Sequence, residues 1–361
     1  MVKSRNFILI SVMTGVFVFL VSMVFLKPDS EYSEAERRNL KQQPELSLES
    51  VISGRFMSNF EEYSLDQFPF REMFRSLKAV SSLKADNNAL YVVDGSIISM
   101  EYPLNEESID RASERFKNIY DMYLKDSGSK VYLSVIPDKN YFYATESGHL
   151  QMDYDALVST VVSDNSYMTY VDIFPLLSSK DYYKTDTHWK QENLTKVAEK
   201  LLAAMGNGVE TEYKTVQAEG DFCGVYYGQA ALDLKPDKIK YLTNDTIKNL
   251  RVFDYENSKE IPVYDLSQME EADPYELYVG GPISLVTIEN PNTKMDDELI
   301  VFRDSFGSSI APLLAQGYKK VTLVDIRYIQ PGILSKYIDF IDKDVLFLYS
   351  TMVLNNSETL K

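Results

Sequence analysis

Residues 298–328 read ELIVFRDSFGSSIAPLLAQGYKKVTLVDIRY, and the order of patterns in them decides the fold. ELIVFRD (298–304) is a continuous apolar run closing on two charges, as expected of a strand buried on both faces. Ser308 to Ala315 has helical spacing, and KVTLVDI (320–326) is a second apolar run. A strand, a helix and a strand in succession imply parallel pairing through a helical crossover.

The same alternation extends outward. VYLSVIP (131–137), YVDIF (170–174) and DVLFLYS (344–350) read as strands. Residues 108–126, 153–163, 190–205 and 331–341 read as helices. In the helix over 190–205, Leu194, Val197, Ala198, Leu201 and Leu202 share one face. The expected fold class is α/β, an open parallel sheet covered on both faces, with ligands beyond the carboxyl ends of its strands. Between 206 and 297 short apolar runs (VYYGQ, KIKYL, RVFDY, IPVYD) alternate with turn residues, which predicts a β-rich insertion. ALYVVDGSIISM (89–100) predicts a hairpin around Asp94-Gly95. Residues 57–80 suggest helical turns broken near Pro69, and the polar stretch 27–50, with Pro28 and Pro44, suggests a stalk.

Phe7 to Leu26 (FILISVMTGVFVFLVSMVFL) holds 20 residues without charge or proline. At 1.5 Å per residue this spans roughly 30 Å, the thickness of a hydrocarbon core. Lys3 and Arg5 precede it, and acidic residues follow soon after Lys27, which favours an inside amino terminus. The run exceeds a signal-peptide core, and VFLKPDS offers no small-x-small cleavage site, so an uncleaved anchor is preferred to a cleaved signal. The expected organisation is a cytoplasmic tip and transmembrane anchor (1–27), a lead-in (28–56) and an extracellular domain (57–361).

Composition narrows the chemistry. A net charge of −17 repels phosphate backbones and argues against nucleic acid and against a polybasic grip on lipid. The single cysteine, Cys223, makes no intrachain disulfide and reads as a small buried hydrophobe. Two histidines, His149 and His188, exclude a three-histidine zinc site within one chain; no metal or other cofactor is expected.

Any imidazole chemistry must therefore use His149 or His188. Ser305 lies between a strand and a helix, where the helix start offers free N–H groups and positive potential, as a nucleophile elbow requires. Simple capping by Ser305 or Ser308 is the competing reading. Asp186-Thr187-His188-Trp189 precedes the 190–205 helix. In an extended segment residues two apart point the same way, so Asp186 and His188 converge, and a carboxylate beside an imidazole fixes its tautomer. The alternative is a capping aspartate beside a structural histidine. His149, in ESGHLQMD, reads as a surface-loop residue. Weaker substrate or oxyanion candidates are Arg327, Tyr328, Asp304, Lys139, Tyr183 and Trp189. Asp138, Asn355 and Asn356 also stand at strand ends, and some of the 26 tyrosines have the shape to stack on sugar rings.

Asp186-Thr187-His188-Trp189 with Asp304-Ser305-Phe306-Gly307 resembles the DHHW family of exported bacterial proteins and the alginate O-acetyltransferases of the SGNH-hydrolase type. SGRFMSNFEEYSLDQFPFRE (53–72), SVIPDKNYFY (134–143), GDFCGVYYGQA (220–230), DPYELYVGG (273–281) and VDIRY (324–328) extend the resemblance over most of the chain after the anchor. It implies a flavodoxin-like SGNH core with Ser305 as nucleophile, His188 as base and Asp186 as orienter. It also implies a polysaccharide acceptor and a membrane-bound O-acyltransferase partner that supplies the acyl group. Thr187 stands where DHHW has its first histidine, and Arg303 where SGNH enzymes commonly have glycine. The expectation is an extracellular O-acetyltransferase. A carbohydrate esterase of the same fold and a non-catalytic glycan-binding subunit are the alternatives.

Overall fold

The structure is a computed structural model that describes residues 11–19, 22, 26–33, 38–68, 89–230 and 234–361. It divides into one unit of Met1–Asn88 with Tyr227–Asp233 and a second of Ala89–Tyr226 with Leu234–Lys361.

In the first unit, residues 11–19 are helical, and strands β1 (Tyr32–Ser33) and β2 (Arg38–Asn39) pair antiparallel. The stretch expected as a stalk is thus partly structured. Ser47 and Ser50 form a reciprocal capping box on the helix Leu48–Ile52. The helix Arg55–Asp66 follows, and its terminal Asp66 accepts two hydrogen bonds from Arg38, at 2.9 and 2.5 Å. The break expected near Pro69 lies outside the described residues. So do residues 7–10, 20, 21 and 23–25 of the apolar run; among the described residues, no helix is long and apolar enough to cross a membrane.

The second unit opens with the expected hairpin, β3 (Leu90–Val93) and β4 (Ser96–Ser99). Asp94 and Gly95 adopt positive φ at its turn, as a two-residue hairpin loop requires. Strands β5 (Lys130–Ile136) and β6 (Thr169–Tyr170) follow. Next come β7 (Lys214–Gln217) and β8 (Lys240–Thr243), which form a sheet of their own. The remaining strands are β9 (Arg251–Asp254), β10 (Lys259–Ile261), β11 (Leu285–Glu289), β12 (Glu298–Arg303), β13 (Lys320–Val324) and β14 (Asp344–Ser350).

The main sheet has the order β10-β9-β11-β13-β12-β14-β5-β6. Strands β13, β12, β14, β5 and β6 are mutually parallel, while β11, β9 and β10 join antiparallel. The fold is therefore mixed α/β rather than purely parallel. A parallel connection needs a crossover of a dozen residues or more, and the link at 290–297 is too short for one. The insertion thus splits: β7 and β8 stand apart, and β9 to β11 extend the sheet.

Successive residues of β5, β12, β13 and β14 enter opposite cores, which is why the sequence there reads as unbroken apolar runs. Val301, Leu346 and Leu348 pack with Trp189, Val197, Leu201 and Ile310. Phe302, Phe347 and Tyr349 pack on the other face with Phe116 and Leu157. Three expected elements differ. VYYGQ lies in a helix, Val225–Ala230, not a strand. Residues 331–341 form only a 3-10 turn, Pro331–Lys336, held short by its Pro-Gly start. Of YVDIF only Tyr170 is strand, the second residue of β6, before the chain turns into a 3-10 segment at Phe174–Leu176.

Candidate active site

The helix Phe306–Leu314 starts directly after β12, and Ser305 sits at its N-cap position. The Ser305 side chain makes no capping bond. Its Oγ instead lies 2.8 Å from Nε2 of His188. Asp304 does the local fastening: it is buried, accepts from Phe306 N at 3.0 Å, and accepts from Ser350 N at 2.8 Å on the neighbouring β14. The candidate Asp304 is thus a backbone anchor that fixes the Ser305 turn to the sheet edge.

His188 and Asp186 lie on a tight loop closed by a bridge between Tyr182 and Trp189 and by Tyr183 N donating to His188 O at 3.1 Å. Asp186 Oδ1 accepts from the His188 backbone N at 2.9 Å and lies 2.6 Å from Nδ1 of the same residue. The two side chains therefore converge through an Asx-type turn, not through the strand alternation expected from their spacing. Asp186 Oδ2 accepts from Val225 N at 2.9 Å. Burial alone would raise the Asp186 carboxyl, but the His188 charge and these three bonds hold it well below the usual carboxylate range. An ionised Asp186 can only accept, so Nδ1 carries a proton and Nε2 faces Ser305 with a lone pair when the ring is neutral.

Two walls hold this chain of groups. Tyr275 stacks on the His188 ring with centroids 3.8 Å apart and planes at 6°, and Phe306 meets the same ring at 4.8 Å. Trp189 is fully buried, and its Nε1 donates to Phe306 O at 3.1 Å and Ser309 Oγ at 2.9 Å, tying the base-bearing loop to the helix after Ser305. Trp189 is therefore an anchor and not a substrate contact. Tyr183, also expected as a contact, is fully buried against Phe222 and Tyr275, with its hydroxyl 3.3 Å from that of Tyr278.

Lys139, expected as a substrate or oxyanion contact, is buried as well. Its Nζ donates to the carbonyls of Ile97, Tyr183 and Lys184, so it clamps the β3–β4 hairpin to the loop carrying Asp186. Arg327 is bound bidentately by Asp325, at 2.9 and 2.7 Å, and lies over the exposed ring of Tyr328. Arg303 is fully buried and donates to Asp325 at 3.4 Å and to the carbonyls of Gly281 and Ile283 at 3.2 Å. Asp138 caps the helix Lys139–Ser147, Asn355 bonds Asn105 N and Pro103 O, and Asn356 donates to Met352 O. His149 stands apart, stacked on Tyr91. Tyr275, Gly224 and Val225 were missed as site residues by sequence reasoning; they lie in the stretches DPYELYVGG and GDFCGVYYGQA, the signal that could have found them.

A model of the DHHW family, described as DHHW protein, matches residues 162–324. This stretch, just under half of the chain, is similar to the DHHW family. The DHHW region contains Asp186, His188, Gly224, Tyr275 and Ser305, whereas Lys139 and Arg327 lie outside it. A solved DHHW family protein from Eubacterium siraeum is 20% identical, with 76% of this chain and 95% of that one covered and a TM-score of 0.61. Bacillus cereus PatB1, solved with a sulfonyl adduct, is 18% identical, with 73% and 97% covered and a TM-score of 0.58. At these identities the likeness is one of fold. A comparison with curated protein sequences finds no match.

Proposed function

We propose that the chain is a serine-dependent O-acyltransferase that acetylates a cell-surface or secreted polysaccharide. The observation that carries this reading is the hydrogen-bonded series Asp186–His188–Ser305, with Oγ of a half-buried serine 2.8 Å from an imidazole nitrogen. His188 Nε2 takes the Ser305 proton as Oγ attacks an acyl carbonyl, and Asp186 stabilises the imidazolium. His188 returns the proton to the leaving group, which departs and leaves acetyl-Ser305. A sugar hydroxyl then attacks, with His188 again as base. The developing oxyanion sits at the positive start of the helix Phe306–Leu314. Phe306 N is already committed to Asp304, so that amide is not assigned to the oxyanion.

The apolar run at 7–26 supports placement of the domain outside the cell on a membrane anchor. An exported enzyme has no cytosolic acyl donor at hand, which favours a membrane-bound O-acyltransferase as supplier. PatB1, similar in fold, was solved with a sulfonyl adduct, and sulfonyl groups mark nucleophiles.

The test is intact-mass analysis of the full-length chain with p-nitrophenyl acetate. One acetyl group on Ser305, absent in Ser305→Ala and with p-nitrophenol release lost in His188→Ala, supports the acyl-enzyme. Folded protein with no adduct and no release above the variants overturns it. Release of acetyl groups to an oligosaccharide acceptor, rather than to water, separates transferase from esterase.

A further inference from the structure

We propose that Tyr275 is a positioning residue for the proposed base: its ring, rather than its hydroxyl, holds the His188 imidazole in the plane that joins Asp186 to Ser305. The proposal rests on the acyl-transfer reading for its kinetic consequence, but its geometric content concerns the resting protein.

An imidazole held only by Asp186 through Nδ1 remains able to swing about that bond, and Nε2 then loses its line to Ser305 Oγ. The Tyr275 ring blocks this swing. It lies flat on the imidazole, with centroids 3.8 Å apart and an interplanar angle of 6°, and Phe306 meets the imidazole at 4.8 Å and 55°. The phenol plane is itself fixed. Tyr275 OH donates to Ser309 Oγ at 2.8 Å, and Ser309 Oγ also accepts from Trp189 Nε1 at 2.9 Å. Ser309 lies on the helix that starts after Ser305, and Trp189 follows His188. One hydroxyl therefore gathers the nucleophile helix, the base loop and the stacking ring. Tyr275 is buried, and burial keeps its phenol neutral far above the ordinary tyrosine range, so it presents an uncharged π-face. Such a face also favours the imidazolium that forms when His188 takes the serine proton.

The experiment compares Tyr275→Leu with Tyr275→Phe in the full-length chain. Tyr275→Leu removes the flat face and keeps an apolar side chain, whereas Tyr275→Phe keeps the face and removes the hydroxyl. In p-nitrophenyl acetate turnover, loss of positioning predicts a fall in kcat of about 10–100-fold for Tyr275→Leu with little change in KM, and recovery of most of that loss in Tyr275→Phe. Equal losses in both variants, or none in Tyr275→Leu, overturn the proposal.

A second readout needs no turnover. In protein labelled with nitrogen-15 at histidine, the Nδ1–H proton bonded to Asp186 is expected to exchange slowly with solvent. His149→Gln assigns the two rings. The exchange should accelerate in Tyr275→Leu and not in Tyr275→Phe. Unchanged exchange in Tyr275→Leu overturns the proposal even if kcat falls. If wild type forms no acyl-enzyme, the acyl-transfer reading fails while the exchange experiment still decides the role of Tyr275.

Discussion

A β-carbon placed on Gly224 would lie 2.2 Å from Cβ and 2.6 Å from Oδ2 of Asp186, so the two residues are in backbone-to-side-chain contact that only glycine allows. Gly224 N donates to Thr185 Oγ1 at 3.1 Å, and Val225 N donates to Asp186 Oδ2 at 2.9 Å. The segment is pressed onto the carboxylate and supplies one of its bonds. Gly224→Ala must push the two chains apart and carry Val225 N away from Oδ2. Displacement of about 1 Å at a catalytic group costs on the order of 100-fold, so kcat should fall by about that factor with a smaller effect on KM. Steady-state kinetics on p-nitrophenyl acetate checks this, and activity within about twofold of wild type would remove Gly224 from the site.

The role given to Asp186 has its own signature. Asp186→Asn keeps the shape but presents an amide to His188, whose Nδ1 then accepts a hydrogen bond instead of donating one. The Nε2 nitrogen becomes the N–H and no longer accepts from Ser305. Neutralising the acid of such a triad lowers kcat by about 10,000-fold, and a loss of that order is expected here with the fold retained. Circular dichroism and acetyl-Ser305 formation by mass spectrometry measure the two halves of the expectation. Near-normal acylation by a folded Asp186→Asn protein would contradict the assigned tautomer.

The parts that sequence conveyed well are those fixed by periodicity. β5, β12, β13 and β14 are buried on both faces, and their unbroken apolar runs follow from that burial. The pairing of Asp186 with His188 was visible in their spacing, although a turn brings it about and not a strand. Side-chain direction at a sheet edge leaves no trace in local sequence. Lys139, Tyr183 and Trp189 all stand near strand ends, yet each points into the protein to hold backbone or rings in place. The stack of Tyr275 on His188 joins residues far apart in the chain, and no local pattern encodes it. Val225–Ala230 misled because its tyrosines suit a strand as well as a helix, and its conformation follows from tertiary context.

Trp189 offers a stability test separate from chemistry. Its Nε1 serves Phe306 O and Ser309 Oγ, both buried, and its indole is fully enclosed. Trp189→Phe removes two buried hydrogen bonds and opens a cavity, although Ser309 Oγ keeps the Tyr275 hydroxyl and Phe306 O keeps the Ser309 hydroxyl as donors. Each lost bond contributes roughly 0.5–1.5 kcal/mol and the cavity adds to this, so a loss of about 2–4 kcal/mol is expected. Urea denaturation should show a lower midpoint with an unchanged slope. A midpoint equal to that of wild type would mean that the indole N–H is not an anchor.

Glu101 predicts how stability changes with pH. Burial pushes its carboxyl up from the ordinary 4.5 to about 7; the Asp138 charge acts in the same direction, and the Ser99 hydroxyl, 2.8 Å away, opposes. The folded value is raised, so the contribution of Glu101 is fully present below about 4.5 and is lost as pH rises through about 7. At roughly 1.4 kcal/mol per pH unit of separation, the ceiling on this loss is about 3 kcal/mol. Lys139 has the opposite sense: burial lowers it from 10.5 to about 7, so its contribution is present above 10.5 and is lost as pH falls through about 7. The two windows are adjacent; burial also raises Asp138, Glu192 and Asp344, so the part that belongs to Glu101 is read as a difference from a variant that lacks its carboxyl. Glu101→Gln keeps a partner for Ser99 and cannot ionise. The difference in urea midpoint between wild type and Glu101→Gln should therefore move against wild type from pH 4.5 to 7 and level off above. A difference that stays constant across that interval would show that Glu101 ionises in the folded protein as readily as in the unfolded chain.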